Sequence, residues 1–128
     1  MAVDLLEWAL NYFNFYYSAR GIKCWLKTAG NNVELNLNNE TKRVVCVEKL
    51  TKIADKGVII VTYNNRHNIK VLIDNWNDFC DRGQRLYFVD KKDPNRKWVI
   101  NPKVHRIVCD KKNLRKSILA MSQLENFK

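Results

Sequence analysis

The sequence predicts a mixed α/β fold, a single domain spanning residues 1–128 with a central β-sheet and helices on its faces. Three observations carry this. Segments with helical spacing of apolar residues alternate with segments of strand character. Three successive strands in the first half are separated only by turn residues. The run Val58-Ile59-Ile60-Val61-Thr62-Tyr63 is continuously apolar and rich in β-branched residues, as expected of a strand covered on both sides.

The first helix starts at Asp4, an N-cap residue followed three positions later by Glu7. Leu5, Trp8, Ala9, Tyr12, Phe13 and Tyr16 then recur at three- and four-residue spacing until Gly21 ends the pattern. Core or interface packing is the favoured role for this aromatic stripe, over stacking on bases. Ile22–Lys27 reads as a strand, and Ala29-Gly30-Asn31-Asn32 as a turn, because Gly and Asn tolerate positive φ. Val33–Asn38 alternates strictly between apolar and polar, and Arg43–Val47 is a central strand after a second turn.

Glu48–Lys56 is expected to form a short helix closed by Gly57, burying Leu50, Ile53 and Ala54. After the Val58–Tyr63 strand, the spacing of Ile69, Leu72, Ile73, Trp76, Phe79 and Cys80 predicts one helix running to Gly83. Leu86–Val89 and Lys97–Ile100 are short strands flanking a polar loop. Asn101–Arg106 is loop-like, and Asp110 caps a last helix whose apolar positions are Leu114, Ile118, Met121 and Leu124.

With 128 residues and 46% hydrophobic content, the chain is large enough to bury about two thirds of its unfolded surface. It has no apolar run of membrane-spanning length and no signal-peptide pattern, so an intracellular setting is expected. Cys24, Cys46, Cys80 and Cys109 are widely separated. Cys46 and Cys80 fall at core-like positions, which suits buried free thiols in a reducing compartment better than a zinc site. His67 and His105 stand alone, with roles no larger than loop hydrogen bonding, and no nucleotide fingerprint is present.

Charge is the strongest functional signal. Between Lys91 and Lys116, ten cations face only Asp93 and Asp110, a formal +8 out of the chain's +10. The cations are Lys91, Lys92, Arg96, Lys97, Lys103, Arg106, Lys111, Lys112, Arg115 and Lys116. Such density points to a polyanion, because Lys and Arg contacts to phosphate release counterions and supply most non-specific affinity for nucleic acid. Lys111 and Lys112 follow the expected cap Asp110, where they oppose the helix dipole. A phosphate held by that helix's first N–H groups would account for the placement. Trp98 lies within this stretch and is favoured as a strand-core residue over a base-stacking one.

Helix, three-stranded meander, then a strand and a helix crossing over resembles the core of the PD-(D/E)XK nuclease superfamily, which includes restriction enzymes and archaeal Holliday-junction resolvases. Ala19-Arg20-Gly21 ahead of a strand is similar to the segment that follows the first helix in resolvases. Val33-Glu34-Leu35 and Val44-Val45-Cys46-Val47-Glu48-Lys49 stand where such enzymes carry an acid and an E-x-K motif. Lys56-Gly57-Val58-Ile59-Ile60-Val61-Thr62 resembles a strand of Mrr-type members.

The resemblance covers about residues 5 to 80 and implies a restriction-endonuclease-like fold. It also implies a magnesium or manganese site on Glu34 and Glu48, with Glu7 as a third acid and Lys49 or Lys52 beside the attacking water. The pattern departs at its centre. Leu50 occupies the lysine position two residues after Glu48, Lys49 points to the opposite face, and Asn32-Val33-Glu34 replaces the Pro-Asp pair. As plain structural residues, Glu34 faces outward on an alternating strand and Glu48 sits in the first turn of a helix. The favoured expectation is a nucleic-acid-binding protein, DNA above RNA, on a nuclease-like fold with a degenerate catalytic centre. An active metal-dependent DNA endonuclease and a regulatory protein-interaction module, viral in origin or not, are the alternatives. A homodimer through the aromatic first helix belongs to the endonuclease expectation.

Overall fold

The computed structural model describes residues 2–108 and 113–122. Helix α1 (Leu5–Ala19) opens where expected, with the Asp4 carboxylate accepting the Glu7 backbone N–H at 3.0 Å, a cap contributing about 1 kcal/mol. It ends at Gly21, whose φ of 70° lies where only glycine is unstrained. Strands β1 (Trp25–Ala29), β2 (Asn32–Asn36) and β3 (Thr41–Cys46) form an antiparallel meander. Strand β1 starts three residues later than the apolar pattern suggests, because Ile22 N–H still bonds back to the Tyr17 carbonyl at 2.9 Å.

Strand β4 (Ile59–Tyr63) pairs parallel with β3, and β5 (Arg85–Val89) pairs parallel with β4. Strand β6 (Lys97–Ile100) closes the sheet antiparallel to β5. The result is a six-stranded mixed sheet whose spatial order follows the chain order from β1 to β6. The expectation of a mixed α/β fold with flanking helices holds.

Helix α1 covers one face. Its Trp8, Phe13 and Tyr17 pack on Val33, Leu35, Val44, Cys46, Ile59, Val61 and Tyr87. The second core lies on the other face, where Ile60, Leu86, Phe88 and Ile100 meet α2 (Arg66–Asp74), α3 (Trp76–Arg82) and Ile118 of α5 (Leu114–Ser122). All five residues of β4 are buried, as its composition predicts for a strand between two layers. The buried residues of this second core include none from β1, β2 or β3. Among the described residues, no helix packs on the other side of β1 and β2, whereas Val45 of β3 is buried on that side.

Three sequence expectations change. The segment Glu48–Lys56 is not a helix but an irregular crossover between the parallel strands. Its backbone is claimed by side chains from elsewhere. The fully buried Asn68 accepts the Leu50 N–H at 2.8 Å, and its Nδ2 lies 3.0 Å from the Glu48 carbonyl. Gln84, also fully buried, donates to the carbonyls of Ile53 and Asp55 at 2.6 and 2.8 Å. These bonds and the burial of Leu50 replace the i→i−4 ladder that the sequence pattern suggests.

The single helix expected from Ile69 to Gly83 is two. Asn75 breaks it by directing Nδ2 to the Val71 carbonyl at 2.9 Å, with φ −117° and ψ 27°. The loop expected at Asn101–Arg106 is instead α4 (Pro102–Val108). Proline supplies the preset φ of a first helical position, and His105 N–H bonds the Asn101 carbonyl at 2.9 Å. The expected cap Asp110 lies outside the described residues.

Candidate nucleic-acid interface

The loop from Asp90 to Arg96 joins β5 to β6 and is held from within by carboxylates. Asp90 Oδ1 accepts the N–H groups of Lys92 and Asp93 at 2.8 and 3.0 Å, and Asp93 accepts that of Asn95 at 2.9 Å. The Asp90 N–H and the Arg96 carbonyl close the loop at 2.9 Å. Short acidic side chains that bond N–H groups two or three residues on are standard turn chemistry. They also explain why carboxylates persist in so basic a stretch.

Helix α1 braces the loop from outside. Trp8 Nε1 donates to the Pro94 carbonyl at 2.9 Å, and Val3 N–H donates to the Lys91 carbonyl at 2.7 Å. Tyr63 donates its hydroxyl to the Val3 carbonyl, tying β4 to the same point. Held in this way, the loop and the first residue of β6 present four cations. Lys91 Nζ lies 5.7 Å from the Tyr63 ring centre and Lys97 Nζ 5.0 Å from that of Tyr12. Arg96 stands 4.0 Å from the Asp90 carboxylate, while Lys92 is exposed. Beside them, a cleft of about 470 Å³ is lined by Asp4, Glu7, Trp8, Asn11, Tyr12 and Asn95.

The structure divides the basic third. Lys103 lies on α4, which packs on α3, and Arg115 and Lys116 start α5, which packs on α2. Both helices are thus away from the α1 face that braces the loop. Arg106 belongs to α4, and Lys111 and Lys112 lie outside the described residues. Lys91, Lys92, Arg96 and Lys97 are therefore the members of the set that one structural device gathers. Trp98 takes the core role expected of it. It stacks on Phe88 at 4.5 Å and donates Nε1–H to Asn64 at 3.0 Å. His67 is exposed, and the His105 ring packs edge-on against Trp76 at 5.6 Å.

The residues expected to hold a metal are not adjacent. Glu34 is exposed on β2, opposite Lys27 of β1 and Arg43 of β3. Glu48 lies in the bend beyond the end of β3, and the three strand rises from Arg43 to Cys46 already span about 10 Å. Lys49 is exposed in the bend beside Glu48, and Lys52 pairs with Asp78 of α3 at 3.1 Å. Glu7, on α1, lines the cleft beside the basic loop. Among the described residues, no group of three or more His, Cys, Asp or Glu could hold a metal ion. Two carboxylates flanked by cations and so far apart do not fit a shared magnesium or manganese ion.

Burial governs the remaining titratable groups. Tyr12 is pushed up to about 12, first by burial and then by the neighbouring Tyr87, so it stays neutral beneath Lys97. Burial likewise pushes the Cys46 thiol up to about 12, with the Asp4 carboxylate adding to the effect. Cys24, Cys46 and Cys80 are free thiols, the last two buried as expected. The aromatic stripe of α1 is spent largely on the protein's own core, and Phe15, 72% exposed, is the ring of that helix left outside. No helix among the described residues is long and apolar enough to cross a membrane.

Compared with protein-family models, curated proteins and solved structures, the chain matches none.

Proposed function

We propose that this protein binds nucleic acid, DNA foremost, without cleaving it, and that the β5–β6 loop makes the main contact with the phosphate backbone. The observation that carries this reading is the bracing of Lys91, Lys92, Arg96 and Lys97 by Asp90, Asp93 and α1. Cations on a rigid turn lose little conformational entropy when a phosphate docks, whereas scattered surface lysines lose more. The order of elements also supports a nuclease-like ancestry: a helix, an antiparallel meander, then a parallel strand and a helix. The separation of Glu34 from Glu48 favours binding over metal-dependent cleavage.

The test is titration of labelled duplex DNA over a range of salt concentrations. Lys92→Ala with Lys97→Ala should flatten the dependence of log K on log salt by roughly two, about 0.9 per lost phosphate contact. Incubation with Mn²⁺ should leave the DNA intact. Cleavage lost in Glu34→Ala and Glu48→Ala would establish the endonuclease instead, and absence of binding at low salt would overturn both.

A further inference from the structure

The meander β1–β3 has a face with no helix on it. Leu26, Val33, Leu35, Val44 and Cys46 point toward α1, so alternation directs Trp25, Lys27, Asn32, Glu34, Asn36, Thr41, Arg43 and the buried Val45 to the opposite side, which is open over β1 and β2. In the sequence Lys23-Cys24-Trp25-Leu26-Lys27, that side receives a tryptophan with a cation two residues before and after it. Trp25 is 58% exposed, an unusual setting for the largest apolar side chain. Its cross-strand neighbours are polar: it pairs with Asn36, which pairs with Thr41, and the Thr41 hydroxyl donates to Asn36 Oδ1 at 3.1 Å.

The row leads into a cationic groove. Beyond Thr41, a depression of about 530 Å³ is lined by Glu40, Lys42, Arg43, Asp55, Lys56 and Arg85; Arg43 alternates onto the Trp25 side, Lys42 and Arg85 onto the α1 side. Asp55 pairs with Arg43 and Glu40 with Lys42, whereas Lys56 and Arg85 form no ion pair among the described residues. From Trp25 on β1 to Arg43 on β3 the strip crosses two strand spacings, about 10 Å.

We propose that this strip is a second binding site, for single-stranded nucleic acid, in which a base stacks on Trp25 and the backbone runs across the strands past Lys27 and Arg43 toward Lys56. An open sheet with an exposed aromatic ring and flanking cations offers both things a single strand needs: a surface for the flat face of a base and counter-charge for its phosphates. Asn36 and Thr41 lie alongside as hydrogen-bonding groups for a base edge. A second copy of this chain is the weaker fit, because the face around Trp25 is polar and charged (Lys27, Glu34, Asn36 and Arg43), whereas the centre of a stable homodimer contact is depleted of charge. The site is separate from the β5–β6 loop, at the other end of the strands.

The test compares an oligothymidylate of about 12 nucleotides with an abasic oligomer of equal length, using fluorescence anisotropy at low salt. Trp25→Ala should weaken binding of the base-bearing strand roughly tenfold or more, and Trp25→Phe should restore most of it. Both proteins should bind the abasic strand equally. Because Trp25 is largely exposed, its replacement leaves the core intact. Equal affinity of wild type and Trp25→Ala for the base-bearing strand overturns the site while leaving the loop reading in place. A dimer that dissociates in Trp25→Ala, with oligonucleotide binding unaltered, overturns it in favour of self-association. Failure of wild type to bind any nucleic acid overturns both readings.

Discussion

Cys46 and Tyr12 show how far single residues here are governed by burial. Each is raised to about 12, the first from 9.0 and the second from 10.0, because the charged form would be poorly solvated where it sits. The sign follows directly. Below pH 9 folded and unfolded chains hold these protons alike; above it the unfolded chain releases them first, so stability falls as pH rises toward 12. Denaturant midpoints measured from pH 8 to pH 11 should therefore decline steadily. At neutral pH a soluble disulfide reagent should leave Cys46 and Cys80 unmodified in the folded protein and modify both after unfolding, since both thiols are buried out of the reagent's reach.

At the level of elements, the crossover from β3 to β4 depends on two amides that lie outside it. Asn68 on α2 and Gln84 before β5 hold a segment with no repetitive structure of its own. Asn68→Ala should leave the Leu50 N–H unpaired in a buried position and leave the Glu48 carbonyl only the Thr62 hydroxyl at 3.4 Å, lowering stability by about 2–3 kcal/mol in chemical denaturation. A loss under about 0.5 kcal/mol would mean that water replaces the amide.

This dependence also marks the limit of reading the sequence. Helix α1 was legible because its cap, its apolar spacing and its terminating glycine all lie within it, and β4 because its composition alone demands two covering layers. The crossover was not, because Leu50, Ile53 and Ala54 have helical spacing while the bonds that decide their conformation come from residues 18 to 31 positions away. The break at Asn75 is a similar case, since one side-chain amide outweighs an otherwise unbroken apolar pattern.

For the whole molecule, the cation-rich stretch was legible as charge but not as shape. The β5–β6 hairpin gathers Lys91, Lys92, Arg96 and Lys97, while α4 and α5 carry Lys103, Arg115 and Lys116 to another layer. The strip beginning at Trp25 was written in the alternation of β1, yet its exposure depends on which helices fail to reach that half of the sheet. The two surfaces lie at opposite ends of the strands and share no side chain, so their contributions should be independent. For an oligonucleotide long enough to reach both, the weakening caused by Trp25→Ala and by Lys92→Ala with Lys97→Ala should multiply in the combined variant. A combined effect no greater than the larger single one would mean a single shared contact.

Because strand order in space repeats strand order along the chain, each pairing joins consecutive strands and none has to be inserted between two already paired. During synthesis the meander can zip up before β4 exists, and each later strand adds to a waiting edge. The longest chain closures in the sheet are then the two parallel crossovers, and forming them should be the slow step of folding. Substitutions that loosen the β3–β4 crossover should slow refolding, whereas those in the β1–β2 turn should chiefly speed unfolding.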